Sequence, residues 1–362
     1  MNQERDLAEI ARQFAFDGEF CQAVPYGGGH INETYCATFN RTGAPVHYIL
    51  QRINTNVFRD SAALMENIER VTQHLSAKLA DDADRERRTL TLIPSRAGRS
   101  LHVDPAGGCW RAYRFIERAR TYDTIECEQQ AWQGARAFGR FIEMLSDLPA
   151  PRLHDTIPGF HYTPGRFAAF KDAVAGDAAG RVRRAEPEIA FALAREPMKN
   201  TLLDAGLPER VTHNDTKLNN VLLDDQTGEG VCVIDLDTVM PGFAAYDFGD
   251  LVRSATCPAA EDERDLSKVT MRFEFFEALA RGYLSSAGAF LTLAERESLV
   301  FGGKLITFQI GFRFLTDYLN GDIYYKVHRE DHNLDRCRTQ FKLVESIEAQ
   351  ESKMEQFIRS IS

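Results

Sequence analysis

Residues 211–224 read VTHNDTKLNNVLLD, and residues 231–237 read VCVIDLD. The apolar, β-branched runs in both segments predict short strands, and the turn DQTGE at residues 225–229 joins them. A polar loop, NDTKLN, precedes the first of these paired strands. The sequence on either side has the periodicity of helices, so we expect an isolated strand hairpin inside an otherwise helical half of the chain.

The polar residues of this hairpin have the spacing HxDxxxxN, with His213, Asp215 and Asn220 at the fixed positions. This spacing resembles the catalytic loop of protein kinases, in which the aspartate faces the substrate hydroxyl and the asparagine binds magnesium. Such a short loop lets a carboxylate face the acceptor while an amide oxygen turns toward the phosphates. Asp235, at the end of the next strand, adds a second carboxylate, and an oxygen-rich site of this kind suits a hard divalent cation.

We therefore predict a role for each of these side chains. Asp215 is the catalytic base or orienting group, Asn220 and Asp235 are metal ligands, and Asp237 is a further candidate ligand. Lys217 is a second catalytic candidate because its amine could neutralise charge on a transferred phosphoryl group. The alternative is that these polar residues only cap a tight loop, but their position between two predicted strands favours catalysis.

A glycine-rich turn, YGGGHIN at residues 26–32, predicts the first hairpin of the chain. Glycine at positions Gly27, Gly28 and Gly29 allows backbone N–H groups to approach nucleotide phosphates without a clashing Cβ. The simpler alternative is an ordinary hairpin turn. Its position ahead of the catalytic hairpin favours nucleotide binding.

Kinases carry a phosphate-binding lysine on the third strand, and here that position is Gln51. Arg52 is the next residue, but strand alternation should turn it to the opposite face. Either the metal and the glycine-rich loop carry the phosphate charge alone, or Arg52 reaches the phosphates through a bulge. Glu69 on the following helix is the candidate partner.

The strand WRAYRFIE at residues 110–117 ends at the predicted junction between two regions. We expect backbone groups of Phe115, Ile116 and Glu117 to hold an adenine ring between apolar side chains. A core strand without a ligand is the alternative reading.

The arrangement of predicted elements indicates the fold class. Strands and turns dominate before residue 117, around one helix at 57–79, and DDADRERR at 81–88 is predicted to be a solvated loop. Helices dominate afterwards, at 126–148, 165–175, 268–284, 293–319 and 334–361. We predict an α+β, two-lobed protein-kinase-like fold, with a small antiparallel-sheet lobe at 1–116 and a large helical lobe at 117–362.

Composition limits the possible partners. The 362 residues have a formal net charge of −10, which argues against binding a nucleic-acid backbone. No apolar run reaches membrane-spanning length, and the charged N-terminal residues predict an amphipathic helix rather than a signal peptide. The 7 cysteines are scattered without CxxC spacing, as is typical of reduced thiols, so we expect a cytoplasmic protein with no membrane partner.

Several longer phrases resemble the bacterial N-acetylhexosamine 1-kinases of the aminoglycoside and choline kinase superfamily. They are VTHNDTKLNNVLLD, VIDLDTVMPG, YDFGDLVR and GFRFLTDYLNGDIYY, and the likeness extends through YGGGHINETY and YILQRIN over nearly the whole chain. The resemblance implies a phosphotransferase with an alcohol acceptor that uses ATP and Mg²⁺. Its implied acceptor is N-acetylglucosamine or N-acetylgalactosamine, and its product is the α-1-phosphate.

By matching position, the resemblance makes His30, Arg313 and Tyr324 candidates for binding the sugar together with Asp215. It also implies glutamine at position 51 and a structural role for Asp247, which would fix the catalytic loop from the following helix. Two alternatives remain. One is a kinase of the same superfamily that acts on an aminoglycoside, choline, homoserine or methylthioribose, and the other is a nucleotide-binding pseudokinase.

Overall fold

The computed structural model describes residues 6–28 and 31–361. Its N-terminal region is built on an antiparallel sheet in the order β1-β2-β3-β5-β4. The strands are β1 Glu19–Pro25, β2 Glu33–Arg41, β3 Ala44–Ile53, β4 His102–Val103 and β5 Cys109–Arg114. Helices α1 Leu7–Ala11, α2 Ser61–Lys78 and α3 Arg85–Arg88 belong to the same region.

The rest of the chain is mainly helical. Its helices are α4 Glu128–Met144, α5 Thr163–Gly176, α6 Glu186–Ala194, α7 Thr201–Asp204, α8 Ala244–Ala255, α9 Phe273–Ala287, α10 Leu293–Leu319 and α11 His332–Ile361. Its strands are β6 Ala119–Arg120, β7 Arg210–Thr212, β8 Val221–Asp224, β9 Gly230–Val233 and β10 Met240–Gly242. The predicted α+β class is confirmed: a small antiparallel sheet precedes a larger helical region.

The predicted catalytic hairpin forms from β8 and β9, which pair antiparallel from Val221 opposite Val233. Strand β6 pairs with the other side of β8, and β7 pairs with β10. These two small sheets place the loop between β7 and β8 next to the segment that follows β9. The hairpin is therefore the element that assembles the candidate site.

Helix α2 joins the core of the helical region although it lies in the N-terminal part of the chain. Its buried residues Leu64, Ile68, Val71 and Leu75 have the predicted spacing and share one apolar cluster with α4, α8 and α9. The boundary between two lobes at residue 116 therefore remains a prediction. Across that boundary, α2 packs into the core of the helical region.

Two expected elements differ from the structure. The alternating run TLTLIP at residues 89–94 predicts a strand, but it forms only an isolated bridge, Leu92 with Tyr113. DDADRERR contains the short helix α3, and Arg87 there donates to the carbonyl oxygens of Glu117 and Arg118 at 3.2 and 3.1 Å. The arginine ties the segment down, which its mixed charges alone did not indicate.

No helix among the described residues is long and apolar enough to cross a membrane. All seven cysteines are free thiols.

Candidate active site

The loop between β7 and β8 is held by a buried carboxylate from α8. Asp247 accepts hydrogen bonds from the backbone N–H groups of His213 and Asn214 at 2.9 and 2.7 Å. Asn214 has a positive φ of 65°, so the chain turns sharply just before Asp215. The predicted structural role of Asp247 is confirmed by these contacts. Burial raises the pKa of Asp247 to about 6.

Asp215 and Asn220 lie side by side, as their spacing predicts. The Asn220 amide donates to the Asp215 carbonyl oxygen at 2.8 Å and to its carboxylate at 3.2 Å. The backbone N–H of Ile234 donates to the Asn220 carbonyl, and the Ile234 carbonyl contacts the His213 ring, both at 2.9 Å. Because Asp235 follows Ile234, these bonds bring all three predicted side chains to one place.

Lys217 forms an ion pair with Asp215, with Nζ 3.0 Å from Oδ1. Burial alone would raise the pKa of Asp215, but the charge and hydrogen bond of Lys217, together with the charge of Arg253, hold it below its usual value. The charge of Asp215 in turn raises the pKa of Lys217. Both groups are therefore charged at neutral pH.

Asp235 has no hydrogen bond or ion pair with any described residue. Its carboxylate is surrounded by other acidic groups, those of Asp237 and Asp215. Burial, together with the charges of Asp237 and Asp215, raises the pKa of Asp235 to about 7. Crowded carboxylates of this kind, beside the amide oxygen of Asn220, fit a hard divalent cation. No group of three His, Cys, Asp or Glu side chains suited to a metal occurs among residues 6–28 and 31–361.

Asp237 lies away from solvent in a different arrangement. Its carboxylate forms an ion pair with Arg111 of β5 and accepts a hydrogen bond from the Asn32 amide at 2.6 Å. Both of its oxygens are thus in use within the protein. A metal role for Asp237 remains a prediction, and the contacts observed here join the N-terminal sheet to the catalytic hairpin.

The nucleotide-binding candidates lie along the N-terminal sheet. Gly27 has a φ of +77°, and a Cβ at Gly27 or Gly28 would meet nothing within 4 Å. Gly29 and His30 lie outside the described residues. Pairing of β2 with β3 continues without a bulge through Thr34–Gln51 and Glu33–Arg52. Arg52 pairs with Glu33 at 3.1 Å, so it does not take the place of the missing lysine.

The segment that follows β5 is anchored on both sides. Glu117 contacts the His47 ring at 2.8 Å, and the Phe115 ring packs edge-on against Tyr26 at 5.5 Å. Ile116 is buried with Ala119 and Cys232, against the partly buried side chains of Leu90, Leu222 and Ile234. This apolar surface lies beside the connector, in which the Phe115 N–H donates to the His47 carbonyl at 3.3 Å and the Glu117 carbonyl accepts from Arg87 at 3.2 Å. Adenine binding by the connector backbone remains a prediction.

Two of the acceptor candidates lie close to the C-terminal end of α10: Arg313 in the helix and Tyr324 in the segment after it. We call these residues, with Arg166, the acceptor cluster. The Arg313 guanidinium lies 5.5 Å from the Phe160 ring centroid and 6.0 Å from that of Tyr325. Tyr324 is exposed, and its backbone N–H donates to Asp317 at 2.8 Å. Arg166 of α5 lies in the same cluster: burial, together with the charge of Arg313, lowers its pKa.

His161, in the loop before α5, connects this cluster to the predicted catalytic loop. Its ring nitrogens lie 2.9 Å from the Gln309 side-chain oxygen and 3.0 Å from the Asn214 carbonyl. Burial lowers the pKa of His161. The Gln309 NH₂ group donates to the Thr163 hydroxyl at 3.1 Å, so Gln309 joins His161 to the start of α5.

Sequence reasoning also missed Arg111 and Arg166. A signal for Arg111 existed, because a charged residue within the apolar strand CWRAYR needs a buried partner. Arg166 had no such signal, since it lies on a helix whose other charged residues, Lys171 and Asp172, face solvent.

Comparison with known proteins agrees with this geometry. The family model described as "Phosphotransferase enzyme family" matches residues 22–289. Among solved structures, a spectinomycin phosphotransferase in complex with ADP and spectinomycin is similar, with 12% identity and a TM-score of 0.59. The match covers 96% of this chain and 99% of that chain.

Two further structures share the fold. A microcompartment-associated aminopropanol kinase is 16% identical with a TM-score of 0.58, covering 96% of this chain and 98% of that chain. A choline/ethanolamine kinase family protein from Mesorhizobium loti is 18% identical with a TM-score of 0.54, covering 98% and 99%. With three-quarters of its length matched by the family model, the chain belongs to the phosphotransferase enzyme family.

Proposed function

We propose that this phosphotransferase is an ATP- and Mg²⁺-dependent kinase that phosphorylates the anomeric hydroxyl of an N-acetylhexosamine to give the α-1-phosphate. The phrases that resemble N-acetylhexosamine 1-kinases support this branch of the family. One structural observation supports the acceptor class: the acceptor cluster contains two arginines that have no acidic partner among residues 6–28 and 31–361. A cytoplasmic location is part of the same proposal.

The proposed chemistry is an in-line transfer at phosphorus. Asp215 orients the C1 hydroxyl and receives its proton, while Lys217 balances the charge near the transferred group. Asn220 and Asp235 would hold the cation, which neutralises phosphate charge when bound. The backbone at Gly27 and Gly28 would cover the phosphates. Because the C1–O bond of the sugar is not broken, the anomer that the pocket admits determines the anomer of the product.

Charge in the acceptor cluster distinguishes the proposed acceptor from its rivals. Arg166 and Arg313 have no ion pair with any described residue, and the Arg166 guanidinium donates to the Phe160 carbonyl at 3.4 Å. Asp317, the acidic residue nearest in sequence, is occupied by the backbone N–H groups of Ile323 and Tyr325 at 3.0 Å. Guanidinium groups bind hydroxyl and acetyl oxygens and repel ammonium groups. The cluster therefore favours an oxygen-rich acceptor over choline or an aminoglycoside.

Exposed aromatic and apolar residues occur in the two segments that carry this cluster, before α5 and after α10. Tyr162, Ile323 and Tyr324 are 54%, 79% and 58% exposed, respectively, which is unusual for such residues. Rings in this position can pack against the apolar face of a sugar while the guanidinium groups bind its oxygens.

An acceptor panel tests this proposal. ADP release would be measured with N-acetylglucosamine, N-acetylgalactosamine, free glucosamine, an N-acetylhexosamine 6-phosphate, choline and an aminoglycoside. We expect the N-acetylated sugars to be used and the amines to be poor acceptors. Preference for the sugar phosphate would indicate that the arginines bind an anion, and preference for an amine would contradict the proposal.

Substitutions of the two arginines test whether the acceptor cluster binds the sugar. Arg313→Gln and Arg166→Gln should each raise the KM for the sugar by about tenfold or more, because each removes a charged hydrogen-bond donor. Lys171→Gln is the matched control, since Lys171 is on α5 as well but is exposed and paired with Glu196. The control should leave KM unchanged.

A further inference from the structure

A buried ion pair lies where the N-terminal sheet meets the catalytic hairpin. The side chains of Arg111 and Asp237 are only 1% and 2% exposed. Gln51 lies directly opposite Arg111 in the pairing of β3 with β5. Arg111 Nε donates to the Gln51 side-chain oxygen at 3.0 Å, and the Gln51 amide donates to the Thr34 hydroxyl at 2.9 Å. The guanidinium is therefore fixed beside the position at which other kinases carry their lysine.

The positive charge of Arg111 is permanent. Burial alone would lower the pKa of Arg111, but the charges of Asp237 and Asp235 raise it. The influence of Asp235 means that the guanidinium lies near the carboxylate proposed to hold the cation. A buried charge is retained only when the surroundings compensate for its lost hydration, and Asp237 and Gln51 provide that compensation.

Asp237 also reaches the glycine-rich loop. Its second oxygen accepts from the Asn32 amide at 2.6 Å, and the Asn32 side-chain oxygen accepts from the Asn54 backbone N–H at 3.0 Å. One network thus joins the end of the glycine-rich segment, the lysine-equivalent position and the catalytic hairpin.

The Arg111–Asp237 pair resembles the lysine–glutamate ion pair of other kinases, but its two residues come from different positions in the chain. In those enzymes a strand lysine contacts the phosphates and pairs with a helix glutamate. Glu69, the predicted helix glutamate, forms no ion pair with any described residue. A lysine at position 51 would bring a second positive charge against Arg111, so a neutral residue that accepts a hydrogen bond is required there.

We propose that Arg111 supplies the positive charge toward the nucleotide phosphates that position 51 lacks, with Asp237 as its carboxylate partner and Gln51 as its neutral support. This inference rests on the proposed function, because it requires that the protein bind ATP. It also assigns Asp237 to the ion pair instead of to the metal.

The test measures binding of ATP and of adenosine by calorimetry, in EDTA so that no metal contributes. The main variant is Arg111→Gln with Asp237→Asn, which removes the buried charges as a pair and leaves amides that can hydrogen-bond in their place. Asp237→Asn alone removes the carboxylate but keeps the guanidinium, so it separates the effect of Asp237 on ATP binding from that of Arg111. Arg41→Gln is the control, since Arg41 is also on the sheet but is exposed beside Asp17.

We expect the double variant to lose about ten- to a hundredfold in ATP affinity, because a charged hydrogen bond is removed, and to bind adenosine like the wild type. Asp237→Asn alone should retain the preference for ATP over adenosine, because Arg111 is still present. The inference is overturned if the double variant keeps the wild-type ratio of ATP to adenosine affinity, or if Asp237→Asn alone loses that ratio to the same extent. Failure of the wild type to bind either ligand would instead contradict the proposed function.

Discussion

Asp215 stays charged in a site that would otherwise favour its neutral form. Lys217 contacts it at 3.0 Å, and the buried pair of Arg253 with Asp250 lies close enough to add to the positive field. A carboxylate whose pKa is below its usual value is a weak base at neutral pH. We therefore expect Asp215 to act first by orienting the acceptor hydroxyl and to receive the proton late in the transfer.

Asp235 differs from Asp215 because no cation in the described part of the chain pairs with it directly. Burial, together with Asp237 and Asp215, raises the pKa of Asp235 to about 7, and a carboxyl group must lose its proton to bind a metal. We expect the Mg²⁺ affinity of the protein to rise from about pH 6 to about pH 8 and then level off. Calorimetric titration with Mg²⁺ across this range checks the prediction.

The same group affects stability in the opposite direction. In the metal-free protein the native state holds the Asp235 proton at a higher pH than the unfolded chain does, so the free energy of unfolding should fall as pH rises from about 4 to about 7. Asp247, with its pKa raised to about 6, acts in the same sense.

Asp235→Asn should remove the pH dependence of Mg²⁺ binding, whereas Asp225→Asn on the exposed hairpin turn should keep it. If Mg²⁺ binding has the same pH dependence in the wild type and in Asp235→Asn, the assignment of Asp235 as the titrating metal ligand is contradicted.

At the scale of elements, α2 carries a buried asparagine that joins two distant segments. The Asn67 amide donates to the carbonyl oxygens of His154 and Val239 at 2.8 and 3.1 Å, and its oxygen accepts from the His154 N–H at 2.9 Å. Val239 lies just after Asp237. Helix α2 therefore holds the segment that follows Asp235, the proposed metal ligand, through the Val239 carbonyl.

Asn67→Ala should lower the free energy of unfolding by about 2 to 3 kcal/mol, because it leaves buried backbone groups without partners. Gln73→Ala is the matched control on α2, where residue 73 is exposed, and it should change stability by less than about 0.5 kcal/mol. Urea unfolding of both variants measures the difference. Equal stability of the two would show that the Asn67 bonds contribute nothing.

Over the whole molecule, the elements that could be predicted are those whose information is local. The HxDxxxxN hairpin is fixed by neighbouring residues, and α10 has its predicted bounds, Leu293–Leu319, because a Thr292–Glu295 capping box marks its start. The contact between Asp247 and the loop came from the family resemblance and not from spacing.

Residues with distant partners could not be predicted in the same way. Arg111 meets Gln51 and Asp237, and His161 meets Asn214 and Gln309, across separations that only the folded chain closes. Arg87 looked like part of a solvated charged run until its partners at residues 117 and 118 were visible. Local patterns predicted the candidate catalytic residues, while the residues that position them required the structure.

The most direct test of the whole account is phosphorus NMR of the product formed from ATP and N-acetylglucosamine or N-acetylgalactosamine, with wild-type protein and with Asp215→Asn. The account predicts a sugar 1-phosphate in the α configuration from the wild type, and turnover lower by about two to four orders of magnitude in the variant, with ATP still bound. A product phosphorylated at another hydroxyl, or near-normal turnover by Asp215→Asn, would contradict it.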